Sequence, residues 1–255
     1  MLTKLPLSLV VVTLNEEANI ERCLKSVPFA SDFVVVDSFS TDRTVEIAQN
    51  LGASVYQEAW RGYGPQKALA VSKAKYDWIL SLDADEALSP ELQAELLARF
   101  ATLKPEVGYE FPRRSFHLGR WIGHGGWYPD AQLRLFHRQY SQWSEDILHE
   151  KVQVKSKERF QADLLHWVFD SLSDQVVTND KYSTLGAQNL ARRGQGFSLF
   201  KLLFKPWTKF MECYFLKRGF LDGLPGFVIA VSAAYSIFLR HAKLWELQMK
   251  KGASS

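Results

Sequence analysis

Two aspartates separated by one alanine follow a strongly apolar stretch of the chain. The segment is WILSLDADE, residues 78–86, in which Asp83 and Asp85 flank Ala84. A carboxylate at the end of a buried strand is costly unless a cation or hydrogen-bond donors balance its charge. Hard divalent cations prefer oxygen ligands, and Mg²⁺ often combines one or two carboxylates with phosphate groups. The pattern therefore indicates a site for a divalent metal and a phosphate.

Two further polar residues end apolar stretches earlier in the chain. Thr13 lies near the end of LSLVVVTL, and Asp37 ends DFVVVD. The carboxyl ends of parallel strands meet at one edge of a sheet, where ligands bind. We therefore expect Thr13, Asp37 and Asp83 to lie on the same edge. A helix-capping role remains an alternative for Asp37 and for Asp42, because Asp is a good helix cap.

The elements that must position these residues alternate between strands and helices. Apolar β-branched stretches predict strands, and capping residues followed by apolar residues at helical spacing predict helices. The predicted strands are 7–14, 32–37, 53–59 and 77–85, and the predicted helices are about 18–26, 40–52, 66–74 and one after Ser89-Pro90. For the helix at 40–52 we expect Ser40 or Thr41 as the cap and Gly52 as the stop. This order predicts an α/β fold with a mostly parallel sheet flanked by helices.

The rest of the chain divides into an aromatic region and a helical region. Strand-like pieces stand at 108–116, 131–136 and 149–154. From about residue 173 the pattern is helical, with breaks expected at Gly194, Gly196, Pro206, Gly219 and Gly223.

The composition indicates a globular chain whose charge is unevenly distributed. Hydrophobic residues make up 47% and charged residues 23% of the 255 residues, which is unlike a disordered chain. The 2 cysteines provide neither a disulfide framework nor metal-ligand spacing, and they favour a reducing compartment. Residues 1–180 carry 19 Lys and Arg against 25 Asp and Glu, whereas residues 181–255 carry 12 against 3. This asymmetry predicts separate tasks for the two parts.

The basic part contains a segment typical of a helix at a lipid surface. In FSLFKLLFKPWTKFMECYFLKRGF, Lys201, Lys205 and Lys209 recur every four residues among Phe, Leu and Trp. Such a helix binds anionic lipid through its apolar face and its basic residues. The alternative is a helix packed on the rest of the protein with a solvated basic edge. The uncharged run 223–239 has 17 residues, short of the roughly 20 that span a bilayer. We do not expect a nucleic-acid partner for so apolar a segment.

The motifs together resemble a known enzyme family. TLNEE, VVVDSFSTDRT and GYGPQKALAVSKAKYDWILSLDADE, in this order and spacing, resemble the inverting glycosyltransferase family two, which has a GT-A fold. RWIGHGGWYPDAQLRLF, EDILHEKV and the segment from Lys205 to Leu244 resemble its branch that adds glucose to heptose in the lipopolysaccharide inner core. The resemblance implies a catalytic domain over 1–170, with a nucleotide-sugar half at about 1–104 and an acceptor half at about 105–170. A basic helical region over 171–255 would associate with the membrane surface.

The resemblance also implies roles for residues in the first half. Thr13 and Asn15 would line the nucleoside pocket, Glu16 or Glu17 would reach the ribose, and Asp37 would bind the base. Lys67 would lie over the diphosphate, the alternative being an exposed helix lysine. Asp83 would be shared between ribose and metal, with Ala84 beside the nucleotide sugar, and Asp85 would bind Mg²⁺ or Mn²⁺ directly. Glu86 is expected to be solvated.

The catalytic base and the acceptor contacts are expected in the second half. Asp146, paired with Glu145, and Glu150 remain alternatives for the base that takes the acceptor proton. His149 is expected to bind the metal or a phosphate, with a structural role as the alternative. The acceptor-side candidates are Trp127, Tyr128, Asp130 and, as a phosphate contact, Arg134. An aromatic core with glycine turns is the competing interpretation of this segment.

These roles imply transfer of a hexose, glucose from UDP-glucose, to a lipopolysaccharide heptose. The partners would be a UDP-sugar, the lipopolysaccharide core and the anionic inner leaflet, with the protein peripheral on the cytoplasmic face of the bacterial inner membrane. Another donor sugar or lipid-linked acceptor within the family is an alternative. A nucleotidyltransferase is disfavoured because TLNEE lacks a glycine-rich basic loop. A catalytically dead membrane adaptor is the non-enzymatic alternative, and the retained acids argue against it.

Overall fold

The structure is a computed structural model, and it describes residues 3–143, 152–169 and 171–252. The strands are β1 (Leu5–Thr13), β2 (Ala30–Asp37), β3 (Ser54–Gln57), β4 (Trp78–Asp83), β5 (Glu86–Leu88), β6 (Val107–His117), β7 (Arg120–Trp121), β8 (Asp130–His137), β9 (Gln142–Trp143), β10 (Val152–Gln153), β11 (Ser156–Arg159) and β12 (Leu164–Trp167). The helices are α1 (Ile20–Lys25), α2 (Thr44–Asn50), α3 (Tyr63–Lys73), α4 (Pro90–Arg99), α5 (Leu172–Arg192), α6 (Leu199–Met211) and α7 (Gly223–Gly252).

The first four strands form the parallel sheet that the sequence predicts. Their order is β3-β2-β1-β4, and every neighbouring pair is parallel. In this register Thr13 lies opposite Asp37, and Val12 lies opposite Asp83. The carboxyl ends of β1, β2 and β4 therefore meet at one edge, and the predicted juxtaposition of Thr13, Asp37 and Asp83 is confirmed.

Most pairings in the second half of the sheet are antiparallel, which the expectation of a mostly parallel sheet did not include, and β11 pairs with β6 in parallel. β8 lies between β4 and β6 and is antiparallel to both, and β12 pairs antiparallel with β5. A parallel connection needs a crossover of a dozen or more residues, usually a helix. The 12 residues between β6 and β8 contain the short strand β7 and no helix, so the chain turns back as a hairpin. The fold is a mixed α/β sheet with flanking helices.

Helix α2 begins four residues later than predicted. Ser40 and Thr41 do not cap it; Arg43 occupies the cap position, and Asp42 Oδ1 accepts a hydrogen bond from the Thr44 amide at 3.0 Å. Ser40 and Thr41 are instead bonded to Asp37 and Asn15. The stop is as predicted, because Gly52 adopts a φ of +82° that disfavours other residues. Asp42 therefore precedes the cap position and bonds the first amide of the helix, and the capping role left open for it stays a prediction.

The apolar parts of β1 and β4 are buried on both sides of the sheet. Leu9 and Leu82 lie in one hydrophobic cluster, and Val10 and Ile79 lie in the other. A strand covered on both faces needs a continuous apolar run, which explains LSLVVVTL and WILSL. The packing fixes the strand ends and thereby the position of Asp83.

By their internal contacts the residues form two compact units. One comprises Met1–Arg114 and Asp130–His166, and the other comprises Ser115–Pro129 and Trp167–Ser255. The domain boundaries given above remain a prediction.

The second unit contains the C-terminal helices, with α6 and α5 packed along α7. A break occurs at Gly194, whose φ is +70°, as predicted. The break expected at Pro206 is wrong, since α6 continues through it from Leu199 to Met211. Proline costs a helix one internal hydrogen bond, and packing of α6 along α7 offsets that loss. In the part of the chain that the structure describes, one helical stretch, Gly219–Lys250, is long and apolar enough by composition to cross a bilayer, with a mean hydropathy of 1.5 over a window of 18 residues.

Candidate active site

The edge formed by β1 and β2 is closed by a hydrogen-bond cluster around Asp37. This side chain is fully buried, and it accepts hydrogen bonds from Thr13 Oγ1 at 2.9 Å and from the Ser40 amide at 2.8 Å. The Ser40 hydroxyl donates to it as well. Asp37 therefore holds the loop that follows β2 against the end of β1. The role in base binding implied by the resemblance remains a prediction.

The TLNEE turn is joined to the same loop. Asn15 has a φ of +56°, and its side chain accepts a hydrogen bond from the Thr41 amide at 2.9 Å. Glu17 accepts from the Arg43 amide at 3.0 Å, and Glu16 accepts from the Asn19 side chain at 2.9 Å. These contacts fix the two loops that would enclose a nucleoside.

Asp83 is held between two cations. Lys67 Nζ, on α3, donates to Asp83 Oδ1 at 2.6 Å, and Arg134 Nη2, on β8, donates to Asp83 Oδ2. Desolvation opposes ionisation of this carboxyl, but the charges of Arg134 and Lys67 outweigh it and lower its pKa far below the usual range. Asp83 is therefore ionised at any physiological pH. The motif predicted Lys67 over the diphosphate, with an exposed helix lysine as the alternative. Its side chain is mostly buried and pairs with Asp83.

Glu86 is the clearest correction to the sequence analysis. The expectation of a solvated side chain is wrong, because Glu86 is fully buried. It accepts hydrogen bonds from Arg134 Nη2 at 2.6 Å, from Arg113 Nη1 at 3.1 Å and from the Asp83 amide at 3.1 Å. Glu86 therefore fixes the backbone of the Asp83–Asp85 turn and supplies charge to two arginines.

Asp85 differs from Asp83 in having an oxygen without a partner. Its Oδ2 lies 3.3 Å from Nε2 of His166, on β12. Its Oδ1 is buried and has no hydrogen-bond partner among the residues that the structure describes. Buried carboxylate oxygens are nearly always satisfied, so this atom is suited to a ligand. Asp85 Oδ1 can supply one oxygen ligand to a divalent cation, with His166 beside it, whereas both oxygens of Asp83 are already paired with cations. Among the residues that the structure describes, no group of three or more His, Cys, Asp or Glu side chains is arranged to hold a metal.

A cavity of about 300 Å³ is lined in part by the two cations that hold Asp83. Lys67, Arg134, Asp130 and Gln132 are among its lining residues. Asp130 accepts hydrogen bonds from Arg113 Nη2 at 2.6 Å and from Gln132 Nε2 at 2.8 Å. The cavity therefore brings the predicted diphosphate residue Lys67 together with two predicted acceptor residues, Asp130 and Arg134. Arg134 is nearly buried, with a side-chain exposure of 9%, and its charge is directed to Asp83 and Glu86.

The other acceptor candidates lie in the second unit, in the loop between β7 and β8. The Trp127 ring lies 5.3 Å from that of His117 and 6.4 Å from that of Phe169. Burial lowers the pKa of His117, so this cluster is uncharged at neutral pH. Tyr128 follows in the same loop before Pro129. The aromatic packing agrees with the structural interpretation of this segment and leaves the binding role a prediction.

Four predicted residues lie outside the described residues. They are the base candidates Glu145, Asp146 and Glu150 and the proposed metal or phosphate residue His149. Their roles remain predictions.

Sequence reasoning missed several residues at this edge. Arg113 and Glu86 form the buried ion pairs described above, and His166 adjoins Asp85. Gln66 is fully buried and donates to Ser38 Oγ at 3.2 Å. Position in the motif could have drawn attention to Glu86 and Gln66, which adjoin Asp85 and Lys67. Nothing in the local sequence marks His166 or Arg113.

The part of the chain that contains this site matches a family of enzymes. Residues 8–156 match the domain described as glycosyl transferase family 2. The chain belongs to glycosyltransferase family 2. This glycosyltransferase is 31% identical to the lipopolysaccharide core biosynthesis glycosyltransferase LpsC of Rhizobium meliloti over 259 residues, 96% of this chain and 94% of LpsC. It is 33% identical to an uncharacterized glycosyltransferase of Rickettsia typhi, over 96% of this chain and 88% of that one.

Among solved structures, the glycosyltransferase is similar to glucosyl-3-phosphoglycerate synthase of Mycobacterium tuberculosis in complex with Mn²⁺, UDP and glucosyl-3-phosphoglycerate. The identity is 25% and the TM-score is 0.35, over 43% of each chain. Because this likeness is confined to less than half of each chain, the family assignment rests on the sequence matches.

Proposed function

We propose that this glycosyltransferase transfers glucose from UDP-glucose, with inversion, to a heptose of the lipopolysaccharide inner core. The observation that carries the proposal is the carboxylate turn, in which Asp83 is neutralised by Lys67 and Arg134 while Asp85 keeps an unpartnered buried oxygen. The matching length and sequence of LpsC support an acceptor in the lipopolysaccharide core.

The residues at the edge divide the work of donor binding. Thr13, Asn15, Glu16, Glu17 and Asp37 enclose the nucleoside. Lys67 lies over the diphosphate, where an ammonium group attracts phosphate oxygens as a point charge. Asp85, with His166 beside it, holds Mg²⁺ or Mn²⁺, and a divalent cation at this place supplies positive charge to the departing diphosphate.

The acceptor candidates of the first unit lie at the cavity, and those of the second unit lie in the aromatic loop. Asp130 lines the cavity with Lys67 and Arg134 and is within reach of a sugar hydroxyl there. Trp127 and Tyr128 supply an aromatic surface for the acceptor. Asp146, with Glu145, takes the proton from the attacking hydroxyl, and Glu150 is the alternative base.

In this proposal the enzyme binds the cytoplasmic face of the inner membrane through its C-terminal region. Helix α6 has no buried residue, and its apolar residues Leu199, Phe200, Leu203 and Trp207 are each at least half exposed. Their spacing gives one apolar side, and Lys201, Lys205 and Lys209 share a different side of the helix. Apolar residues with lysines on a surface helix favour binding to anionic lipid. A lipid-linked acceptor requires such an association.

The test is release of UDP from purified enzyme given UDP-glucose, Mn²⁺ and inner-core lipopolysaccharide that ends in heptose. We expect metal-dependent UDP release that is fastest with UDP-glucose, and its loss when EDTA replaces Mn²⁺. UDP-galactose and UDP-N-acetylglucosamine serve as matched donors. Absence of UDP release from every donor, with acceptor and metal present, would contradict the proposed transfer.

A further inference from the structure

The turn that joins α6 to α7 exposes an unusual concentration of apolar side chains. We name the segment Leu216–Leu224 the α6–α7 turn. Leu216 is 80% exposed and Leu224 is 73% exposed, and Phe220 and Leu221 are about half exposed. Exposure of four large apolar residues within nine positions to water is unfavourable, and their burial against another apolar surface would be favourable.

The other side of the same turn is directed inward, within the second unit. Asp222 is 2% exposed, and its carboxylate accepts hydrogen bonds from the Gly123 amide at 3.2 Å and from the His124 amide at 2.8 Å. Arg120 Nη1 donates to the Asp222 carbonyl at 3.0 Å. A buried carboxylate bound by two amides is a strong attachment, because bonds to a charged acceptor are about twice as strong as neutral ones.

Close backbone contacts strengthen this attachment. The Gly125 amide donates to the Lys217 carbonyl at 2.9 Å. A Cβ atom on Gly126 would lie 2.7 Å from Lys217 Cδ, so only glycine fits there without displacing that side chain. The α6–α7 turn therefore fixes the Gly123–Trp127 loop, in which the acceptor-binding candidate Trp127 lies.

The charges around the turn identify its occupant. Five basic residues surround the apolar side chains in sequence, namely Lys201, Lys205, Lys209, Lys217 and Arg218. Within residues 198–224 the acids are Glu212, which pairs with Lys209 and Lys217, and the buried Asp222. Apolar side chains among cations complement a surface of acyl chains below anionic headgroups. A second copy of this chain would bring the same positive charge and be repelled.

We propose that the α6–α7 turn enters an anionic lipid surface and that Asp222 connects this contact to the Gly123–Trp127 loop, so that lipid binding stabilises the loop. The inference deepens the proposed function, on which it rests for the assignment of acceptor binding to this loop. Leu216, Phe220, Leu221 and Leu224 contact lipid, and Asp222 is a positioning residue. The acceptor loop is thereby ordered where a lipid-linked sugar arrives.

The first test measures binding to sedimenting vesicles of phosphatidylethanolamine and phosphatidylglycerol at a ratio of about three to one. The full chain with Leu216→Asp and Leu224→Asp is expected to bind at least about tenfold more weakly, since about 1.4 kcal/mol of lost burial suffices for that change. Leu185→Asp is the matched control, because Leu185 is an apolar residue, 44% exposed, that lies far from the α6–α7 turn. Its neighbour Gly186 contacts Arg240 of α7, and Arg240 lies 16 residues, or about 24 Å, along that helix from Leu224.

The second test measures hydrogen exchange in peptides that cover residues 122–127, with and without these vesicles. In the unmodified protein we expect vesicles to slow exchange of the Gly123 and His124 amides. Asp222→Asn is expected to speed their exchange about tenfold and to abolish the vesicle effect while leaving vesicle binding intact. If Asp222→Asn fails to fold, Arg120→Met serves instead, because its side chain is 46% exposed and its loss weakens the same attachment.

The outcomes separate the two proposals. Equal vesicle binding by the Leu216→Asp/Leu224→Asp variant and by the Leu185→Asp control would overturn the lipid contact. A dimeric unmodified protein that becomes monomeric in the double variant, with vesicle binding unchanged, would also overturn it by making a second copy the occupant. Vesicle binding without slowed exchange in the loop would overturn the connection through Asp222. Failure of the proposed transfer would show instead as absent UDP release, which neither vesicle measurement reads.

Discussion

Asp85→Ala is expected to abolish metal-dependent binding of UDP and to lower sugar transfer by about 10³-fold. Asp85 has the buried carboxylate oxygen without a partner at this edge, within the described part of the chain, and its other oxygen faces His166 at 3.3 Å. A bound cation stabilises the charge that develops on a leaving diphosphate in the transition state by several kcal/mol. A change of about 1.4 kcal/mol corresponds to a tenfold change in rate. Removing the carboxylate removes most of that stabilisation.

Titration calorimetry with UDP, in Mn²⁺ and in EDTA, measures the first effect. The unmodified enzyme should bind UDP much more tightly in Mn²⁺, and Asp85→Ala should bind it equally weakly in both. Glu91→Gln is the matched control, since Glu91 is an exposed acid in the first turn of α4. Retention of the Mn²⁺ effect in Asp85→Ala would assign the metal to other residues.

The positions of the acids at the sheet edge were predictable because they depend on local order. A strand that is buried on both faces has a continuous apolar sequence, and the polar residue at its end lies at the edge. Thr13, Asp37 and Asp83 follow this rule, and the parallel register of β1, β2 and β4 confirms it. The metal role of Asp85, which its spacing from Asp83 indicated, stays a prediction.

The partners of these acids were not predictable, because they come from distant strands. Arg134 and Arg113 reach Glu86 from β8 and β6, and His166 reaches Asp85 from β12. Their placement depends on the antiparallel half of the sheet, which the α/β pattern of the first half does not specify. For this reason the sequence predicted a solvated Glu86, whereas the structure buries it fully between two arginines.

The same limit applies to the second unit. The glycines of RWIGHGG indicated a tight loop, and Gly125 and Gly126 do have positive φ values of +68° and +84°. The loop is fixed by Asp222, which lies 98 residues beyond His124 in the chain. A lone aspartate between apolar residues and glycine gives no sign of such a contact.

Arg134→Met is expected to lower the free energy of unfolding by about 3–5 kcal/mol, the cost of leaving buried charges without their partner. Arg134 Nη2 bonds both Asp83 and Glu86, and Glu86 is fully buried. Arg134→Lys should recover only part of the loss, because a single ammonium cannot reproduce the fork of a guanidinium. Urea unfolding at pH 7 measures the change.

The control for this prediction is Arg138→Met. Arg138 lies just beyond β8 and pairs with Asp77 at 2.7 Å, where both side chains are about one-third exposed. Breaking so exposed a pair costs about 1 kcal/mol or less. Equal losses in the two variants would show that the buried network contributes no more than a surface pair.

The pH dependence of protein stability provides a second, independent test of the role of Arg134. In the unmodified protein the pKa of Asp83 is lowered, so its stabilisation is present above the unfolded pKa of about 3.9 and is lost only as the pH falls through the lower folded value. Without Arg134, burial of Asp83 is less well offset and its folded pKa rises. Asp83 then takes up a proton in mild acid, which relieves the uncompensated charge. The difference in stability between the two proteins should therefore be largest at pH 7 and shrink toward pH 4, whereas a difference that grew in acid would exclude Asp83 as the charge that Arg134 stabilises.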